Sequence, residues 1–301
     1  MGGMHLTLRQ WQVFVSIADA GTTAAAGAQL ALSQSATSAA LNELENQLAS
    51  PLFDRIGRRL VLNAQGRALL DPARALLAAA VDLERLAGVG QIQAGAQPLL
   101  LRLGASTTIG NYLLPTRVAA LLADNPQAQV DLRIGNSADV VAAVQRLEVD
   151  LGLIEGPCHE SGLQVLPWQR DELVIVAATA PGTARMEIDV LAQARWLLRE
   201  PGSGTREAVE QALLPHLHHF ARAMQLGSTE AIKQAAAAGL GLACLSRHAV
   251  ADLLALGTLT VVNTPLPPMS RQLWLVRHPG KRVPPVLGAL LGLPADAFGQ
   301  Q

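Results

Sequence analysis

The hydrophobic period of this chain changes once, near residue 90, and that change divides what it can fold into. Before it, apolar residues recur at steps of three and four, the repeat of helices that bury one stripe. After it, short apolar runs alternate with helical patterns, the rhythm of strand-helix-strand units around a parallel-rich sheet. A Gly/Gln/Ala stretch from Gly88 to Pro98 lies between the two regimes and reads as a hinge. The chain has 301 residues, and a prior of about 150 residues per domain gives two or three units.

In the first regime, Leu8, Trp11, Val15 and Ala18 define an amphipathic helix that Gly21 stops. Thr22 or Thr23 caps a short Ala-rich helix, and Ala31-Leu32-Ser33 makes the turn into a third. Ser33 is the expected N-cap of that third helix, whose inward stripe is Ala40 or Leu41, Leu44 and Leu48. Its opposite face is small and polar. Ser33, Gln34, Thr37, Ser38 and Asn42 are expected to project from it, as a recognition helix presents its N-terminal half to base edges in the major groove.

After Pro51, residues 52–63 read as a short hairpin with Gly57 at a basic tip. Arg55, Arg58 and Arg59 there suit phosphate contacts beside the groove, which position a domain without reading sequence. A further helix follows, with Leu69, Ala73, Leu76, Ala80, Leu83 and Ala87 spaced as a heptad seam for pairing with another helix. Residues 1–92 hold seven Arg and seven Asp plus Glu, so they carry no net charge and DNA affinity must rest on few, well-placed contacts.

In the second regime, residues 99–103, 130–134, 151–154, 173–178, 196–199 and 241–245 read as strands. Sheets of this kind bind ligands at strand C-termini and helix N-termini. Three helix starts carry hydroxyls: Ser106-Thr107-Thr108, Ser203-Gly204-Thr205 and Ser228-Thr229. Any one of them is accounted for as an N-cap; three converging would form an anion site from backbone N–H groups, hydroxyls and helix dipoles. Asn136 and Glu155 complete the candidate set. Glu155 and Glu200, if both face the cleft ionised, would oppose an anion unless an Arg or a cationic part of the ligand offsets them.

Other features exclude function classes. Gly202-Ser203-Gly204-Thr205-Arg206 lacks the spacing and the Lys of a nucleotide phosphate loop. Pro215-His216-Leu217-His218-His219 has no Cys or carboxylate at matching spacing, so no metal is expected. No nucleophile, base and orienting group fall at usable spacing, so no catalysis is expected, and no cofactor beyond a small-molecule effector. Aromatics make up 3%, too few for the stacking platforms of single-strand binding modules. All but Lys233 and Lys281 of the 23 basic residues are Arg, which suits forked contacts to phosphate or carboxylate. Two cysteines, Cys158 and Cys244, agree with a reducing compartment. Met1-Gly2-Gly3-Met4-His5 shows no basic segment leading into an apolar core, so a cytoplasmic protein without a membrane span is expected.

Thr23-Ala24-Ala25-Ala26, Leu32-Ser33-Gln34-Ser35-Ala36, Leu44-Glu45, Leu52-Phe53-Asp54-Arg55 and Asn63-Ala64-Gln65-Gly66 resemble the N-terminal pattern of LysR-type transcriptional regulators. Further on, residues 109–115, 150–157, 199–206 and 230–233 resemble the YeiE-like branch, near the cysteine-regulon regulators. The resemblance implies a winged helix-turn-helix at residues 4–63, a linker and dimerisation helix at 64–90 and a hinge at 91–98. It implies a two-lobed, periplasmic-binding-protein-like (type 2) α/β effector domain at 99–295, with the second lobe at about 168–269. It also implies double-stranded DNA as partner, a homodimer through the linker helix, a homotetramer on DNA, RNA polymerase as a further partner, and small sulfur oxyanions as effectors. Many relatives carry Arg at the position of Ala39; this chain has no basic residue between Arg9 and Arg55. A transport receptor of the same C-terminal fold is the competing class, and the DNA-binding arm argues against it.

Overall fold

The computed structural model describes residues 6–57, 59–86, 99–179, 185–281 and 283–294. The chain divides into two units, Met1–Gln97 and Pro98–Gln301. The expected hinge at 91–98, together with Arg58 and Ala87, lies outside the described residues.

In the first unit, α1 (Leu8–Ala20) starts at Thr7, which forms a reciprocal capping box with Gln10, and ends at Gly21 with φ 72°. Thr22 caps α2 (Thr23–Gln29) and Ser33 caps α3 (Gln34–Gln47), each side chain accepting a backbone N–H three residues on. Val13, Phe14, Ile17, Ala26, Leu41, Leu44, Leu52 and Phe53 form one core beneath the three helices. The turn between α2 and α3 is tight: a Cβ on Gly27 would sit 2.8 Å from the Leu32 carbonyl and 2.8 Å from Thr37 Oγ1. Strands β1 (Phe53–Ile56) and β2 (Arg59–Leu62) pair antiparallel as the wing, turning through Gly57 at φ 62°.

Asn63 closes the wing and opens the next helix, its Nδ2 donating to Pro51 O at 2.8 Å and its Oδ1 accepting from Gly66 N at 2.9 Å. That helix, α4, runs Ala64–Leu86. The uniform seam expected along it divides in two. Leu69 and Ala73 turn into the core of their own unit, whereas Leu76 and Leu83 are exposed at 43% and 66%. The cause is geometric, since a helix leaving a small three-helix core must first cover that core.

The second unit opens with β3 (Leu100–Ser106), a π-helical turn (Ile109–Leu113), α5 (Leu114–Asp124), β4 (Gln129–Gly135), α6 (Ser137–Gln145) and β5 (Leu151–Ile154). Strand β3 lies parallel between β4 and β5. The chain then crosses on β6 (Gln164–Ala178) into a second lobe of α7 (Ile188–Gln193), β7 (Arg195–Leu198), α8 (Gly204–Leu217), β8 (Arg222–Gln225), α9 (Thr229–Ala237), β9 (Leu242–Ser246), α10 (Arg247–Ala255) and β10 (Leu259–Val261). Here β7 lies parallel between β8 and β9. It returns on β11 (Met269–Arg277) and packs α11 (Pro285–Leu291) on the first lobe's core.

The parallel-rich sheet expected from sequence therefore holds inside each lobe and fails between them. Strands β6 and β11 pair antiparallel with each other, and β11 pairs antiparallel with β5 and β6 with β9. The apolar run at 173–178 is only the end of β6, because Gln169, Arg170, Asp171 and Glu172 interrupt the hydrophobic signal while the backbone continues extended. Both lobes bury apolar clusters, Leu101, Leu103, Leu151 and Leu153 in one and Trp196, Leu198, Val209 and Leu213 in the other.

Because a side chain at Gly27 has backbone on one side and Thr37 on the other, Gly27→Val should cost about 1–3 kcal/mol as overpacking. Thermal unfolding and DNA binding should both suffer. A wild-type midpoint would mean that the turn relaxes freely.

Candidate functional site

The first unit offers a polar helix face beside a wing. Ser33, Gln34 and Asn42 are exposed on α3, and Arg55 and Arg59 are exposed on the wing strands. Ser38 is half-buried and lines a small notch with Asn42, Phe53 and Arg55. Thr37 corrects the sequence reading. It is fully buried, its hydroxyl donates to Ser33 O at 3.0 Å, and it packs beneath Gly27, so it holds the turn and presents nothing to a base.

In the second unit, the predicted residues gather around two buried arginines, neither of which the sequence reading named as a site residue. The first is Arg271, at the register position opposite Asp171 where β11 and β6 run side by side. Its Nε donates to Asp171 at 2.8 Å and its Nη1 to Glu155 at 3.0 Å and Thr205 Oγ1 at 2.9 Å. Its Nη2 donates to Thr108 Oγ1 at 3.1 Å. Thr205 in turn donates to Glu155, Thr108 N donates to Glu155 Oε1 at 2.6 Å, and Ser246 Oγ donates to Asp171 at 2.7 Å. All of these residues are buried. The Ser106 hydroxyl is buried close enough to Glu155 to lower its pKa, yet has no partner in full hydrogen-bonding geometry among the described residues.

Burial alone would raise the pKa of Glu155. The charge of Arg271, the Thr205 and Ser106 hydroxyls and the Thr108 N–H more than reverse this and hold it below the ordinary 4.5.

The second arginine, Arg199, follows the C-terminal end of β7. It grips Glu200 with two parallel bonds, Nε to Oε2 at 2.8 Å and Nη2 to Oε1 at 2.7 Å. Its Nη1 reaches Thr229 Oγ1 at 2.9 Å, at the start of α9, and Thr107 Oγ1 at 3.3 Å, in the other lobe. Asn136, which forms a capping box with Asp139 at the start of α6, donates from Nδ2 to Glu200 at 3.4 Å. Glu200 is held below its ordinary pKa because the Arg199 bonds and charge outweigh its partial burial.

Ser203 caps α8, and at Gly204 the two lobes approach closely. A Cβ there would lie 2.5 Å from Ser137 Oγ and 2.6 Å from Gly156 N. The backbone bond Ala138 N to Gly202 O, 3.1 Å, joins the lobes beside it. Thus the structure brings Thr108, Glu155 and Thr205 together on Arg271, and Thr107, Asn136 and Thr229 together around Arg199 and Glu200.

Other singled-out residues stand apart. Cys244 is core, its thiol pushed up to about 12 by burial. Cys158 is half-buried against Val140, Val144 and Ile154, with Sγ 3.9 Å from Glu160 O. Among the described residues, no three His, Cys, Asp or Glu side chains group as metal ligands, and no helix is long and apolar enough to cross a membrane.

Known proteins share both units. Residues 8–67 match the bacterial regulatory helix-turn-helix protein, lysR family, and residues 95–298 match the LysR substrate binding domain. The chain belongs to the LysR family of transcriptional regulators. It is 49% identical over 282 residues to an uncharacterized HTH-type transcriptional regulator, YeiE, of Escherichia coli K12, covering 93% of this chain and 94% of that one. It is 30% identical to the HTH-type transcriptional regulator CbbR of Rhodospirillum rubrum, covering 94% of each. A full-length OxyR variant from Pseudomonas aeruginosa shares the fold with a TM-score of 0.70 at 23% identity, covering 96% of this chain and 95% of that chain. The regulatory domain of Synechocystis CcmR, solved in complex with 2-PG, aligns at 31% identity and a TM-score of 0.58, over 64% of this chain and 96% of that one. This LysR-type protein is therefore a DNA-binding transcriptional regulator with an effector-binding domain, not an enzyme.

Arg271→Met should destabilise this regulator by about 3–5 kcal/mol, because it leaves Glu155 and Asp171 buried without their counter-charge. Glu155 also sets an acid limb. Its folded pKa lies below the unfolded 4.5, so the stability that it contributes is full above about 4.5 and is lost as pH falls through the folded value. In denaturant titrations across that range, Glu155→Gln should flatten the acid limb; an unchanged pH dependence would place the effect elsewhere.

Proposed function

We propose that this regulator reads duplex DNA with α3 and the wing, and that a small anion bound between the lobes of its second unit controls it. The observation that carries the second half is the gathering of hydroxyls, helix starts and the buried Arg199 at the lobe contact: Thr107 and Asn136 from one lobe, Thr229 from the other. A guanidinium with hydroxyl donors beside it suits a compact oxyanion. Sulfur oxyanions are the candidate class that the sequence resemblance suggests. The 2-PG complex of the CcmR domain is a precedent for small-molecule binding in a related domain.

On the DNA side, Ser33, Gln34, Ser38 and Asn42 are the proposed base readers, with Arg55, Arg58 and Arg59 on the phosphates. The exposed Leu76 and Leu83 on α4 support a homodimer through that helix, and a homotetramer on a bipartite site would multiply the weak affinity of each uncharged head.

Calorimetry of the full-length protein with sulfate, sulfite, thiosulfate and phosphate tests the effector reading directly. At least one should bind, with Thr107→Ala and Thr229→Ala weakening it; no heat from any of them would remove the anion reading. For DNA, Arg59→Ala should weaken specific and nonspecific binding alike and lower the salt slope by about one unit. A changed base preference at constant slope would reverse the assignment. Leu76→Glu should give monomers by light scattering, and an unchanged mass would remove the α4 interface.

A further inference from the structure

We propose that Glu200 is an internal anion that fills the Arg199 fork until the effector takes its place. This deepens the anion reading above and rests on it. The two arginine clusters differ in a way that decides which can accept a ligand. Arg271 faces two carboxylates, Glu155 and Asp171, so its cluster has a formal charge of −1. Both acids are almost wholly buried, at 2% and 0% side-chain exposure. Arg199 faces one carboxylate, and that pair is neutral. Its guanidinium is 3% exposed but Glu200 is 22% exposed, the most accessible member of the pair.

Glu200 is also built to leave. It precedes Pro201 and Gly202, a loop turned by Gly202 at φ 85°, and beyond Arg199 its carboxylate is held, among the described residues, by its own backbone N–H and one long side-chain bond, from Asn136. When the carboxylate swings out, Arg199 Nε and Nη2 are freed together while Nη1 stays on Thr107 and Thr229, so the fork keeps its orientation. The site left behind is a net positive fork, flanked by Asn136 Nδ2 at the N-terminus of α6. The entering group must do what the carboxylate did: present two oxygens side by side and carry negative charge. That admits carboxylates and sulfur or phosphorus oxyanions. It rejects chloride, which has no pair of oxygens to match the fork. The depressed pKa of Glu200 agrees with a strong internal contact that an effector must exceed, so the internal anion sets the threshold for response.

The experiment is calorimetry of the full-length protein with sulfate, sulfite, thiosulfate, phosphate and chloride, comparing wild type, Glu200→Gln and Glu210→Gln. Glu210 lies on α8, paired with Arg206 at 2.8 Å and off the Arg199 fork, so it controls for loss of one negative charge nearby. Glu200→Gln should bind the anions at least tenfold more tightly, with chloride still ineffective, and Glu210→Gln by no more than about threefold. Thermal unfolding of the free proteins checks that both variants fold. If wild type binds an anion and Glu200→Gln binds it equally or less well, Glu200 is not the competitor and this proposal alone falls. Equal gains from both substitutions would reduce the effect to a general field and also overturn it. If neither wild type nor Glu200→Gln binds any anion, the effector reading falls and takes this one with it.

Discussion

One guanidinium holds the middle of the effector domain together. Where β6 and β11 pass between the lobes, Arg271 uses Nε, Nη1 and Nη2 to tie Asp171, Glu155, Thr205 and Thr108. Two carboxylates taken out of water cost several kcal/mol each unless they are paired and hydrogen-bonded, so the cluster cannot lose a member without strain on the rest. It also crosses elements: Thr108 and Glu155 come from the first lobe, Thr205 from the start of α8, and Arg271 and Asp171 from the crossing strands. The lobes therefore do not meet as two apolar faces. They meet through directional bonds that fix register, and Gly204 lets the backbones come close enough to make them.

From that constraint follows a division of labour between the two arginines. The Arg271 cluster has surplus negative charge and every described hydroxyl except Ser106 already engaged, which suits a fixed joint. The Arg199 cluster is neutral, partly accessible, and holds its acid by a side chain on a glycine-containing loop. Charge, exposure and loop geometry agree on which of the two yields.

Much of this was legible in the sequence where local chemistry speaks. Thr22, Ser33, Ser203 and Ser228 are legible as caps because Ser and Thr side chains cap helices where they precede an apolar stripe. The helical repeat also assigns Leu44 to the core. What stayed hidden was long-range. Thr37 looks like a base reader by spacing, but its hydroxyl bonds back to Ser33 O, a choice that depends on Gly27 lying above it. Arg271 carried a usable signal: it occupies the buried phase of the alternation Arg271, Leu273, Leu275, where a charge demands a partner. Arg199 directly follows a parallel strand, at the end where such sheets bind ligands, and adjoins Glu200, whose charge would oppose an anion. The partners Asp171 and Glu155 lie 100 and 116 residues from Arg271, and no local pattern pairs them.

Under the proposed control, the same arithmetic would make the DNA end sensitive to the effector end. With no net charge over residues 1–92 and basic side chains gathered in and beside the wing, each head contributes few phosphate contacts. A head held by many contacts would stay bound whatever the cleft did. One held by few is more easily shifted, and a coupling of about 1–3 kcal/mol changes binding about 5–150-fold. Under the proposed displacement, a neutral Arg–Glu pair parted by an anion would change the charge pairing of the cleft. On that proposal, weak basicity in the winged unit and a displaceable acid in the cleft would be complementary features of one response.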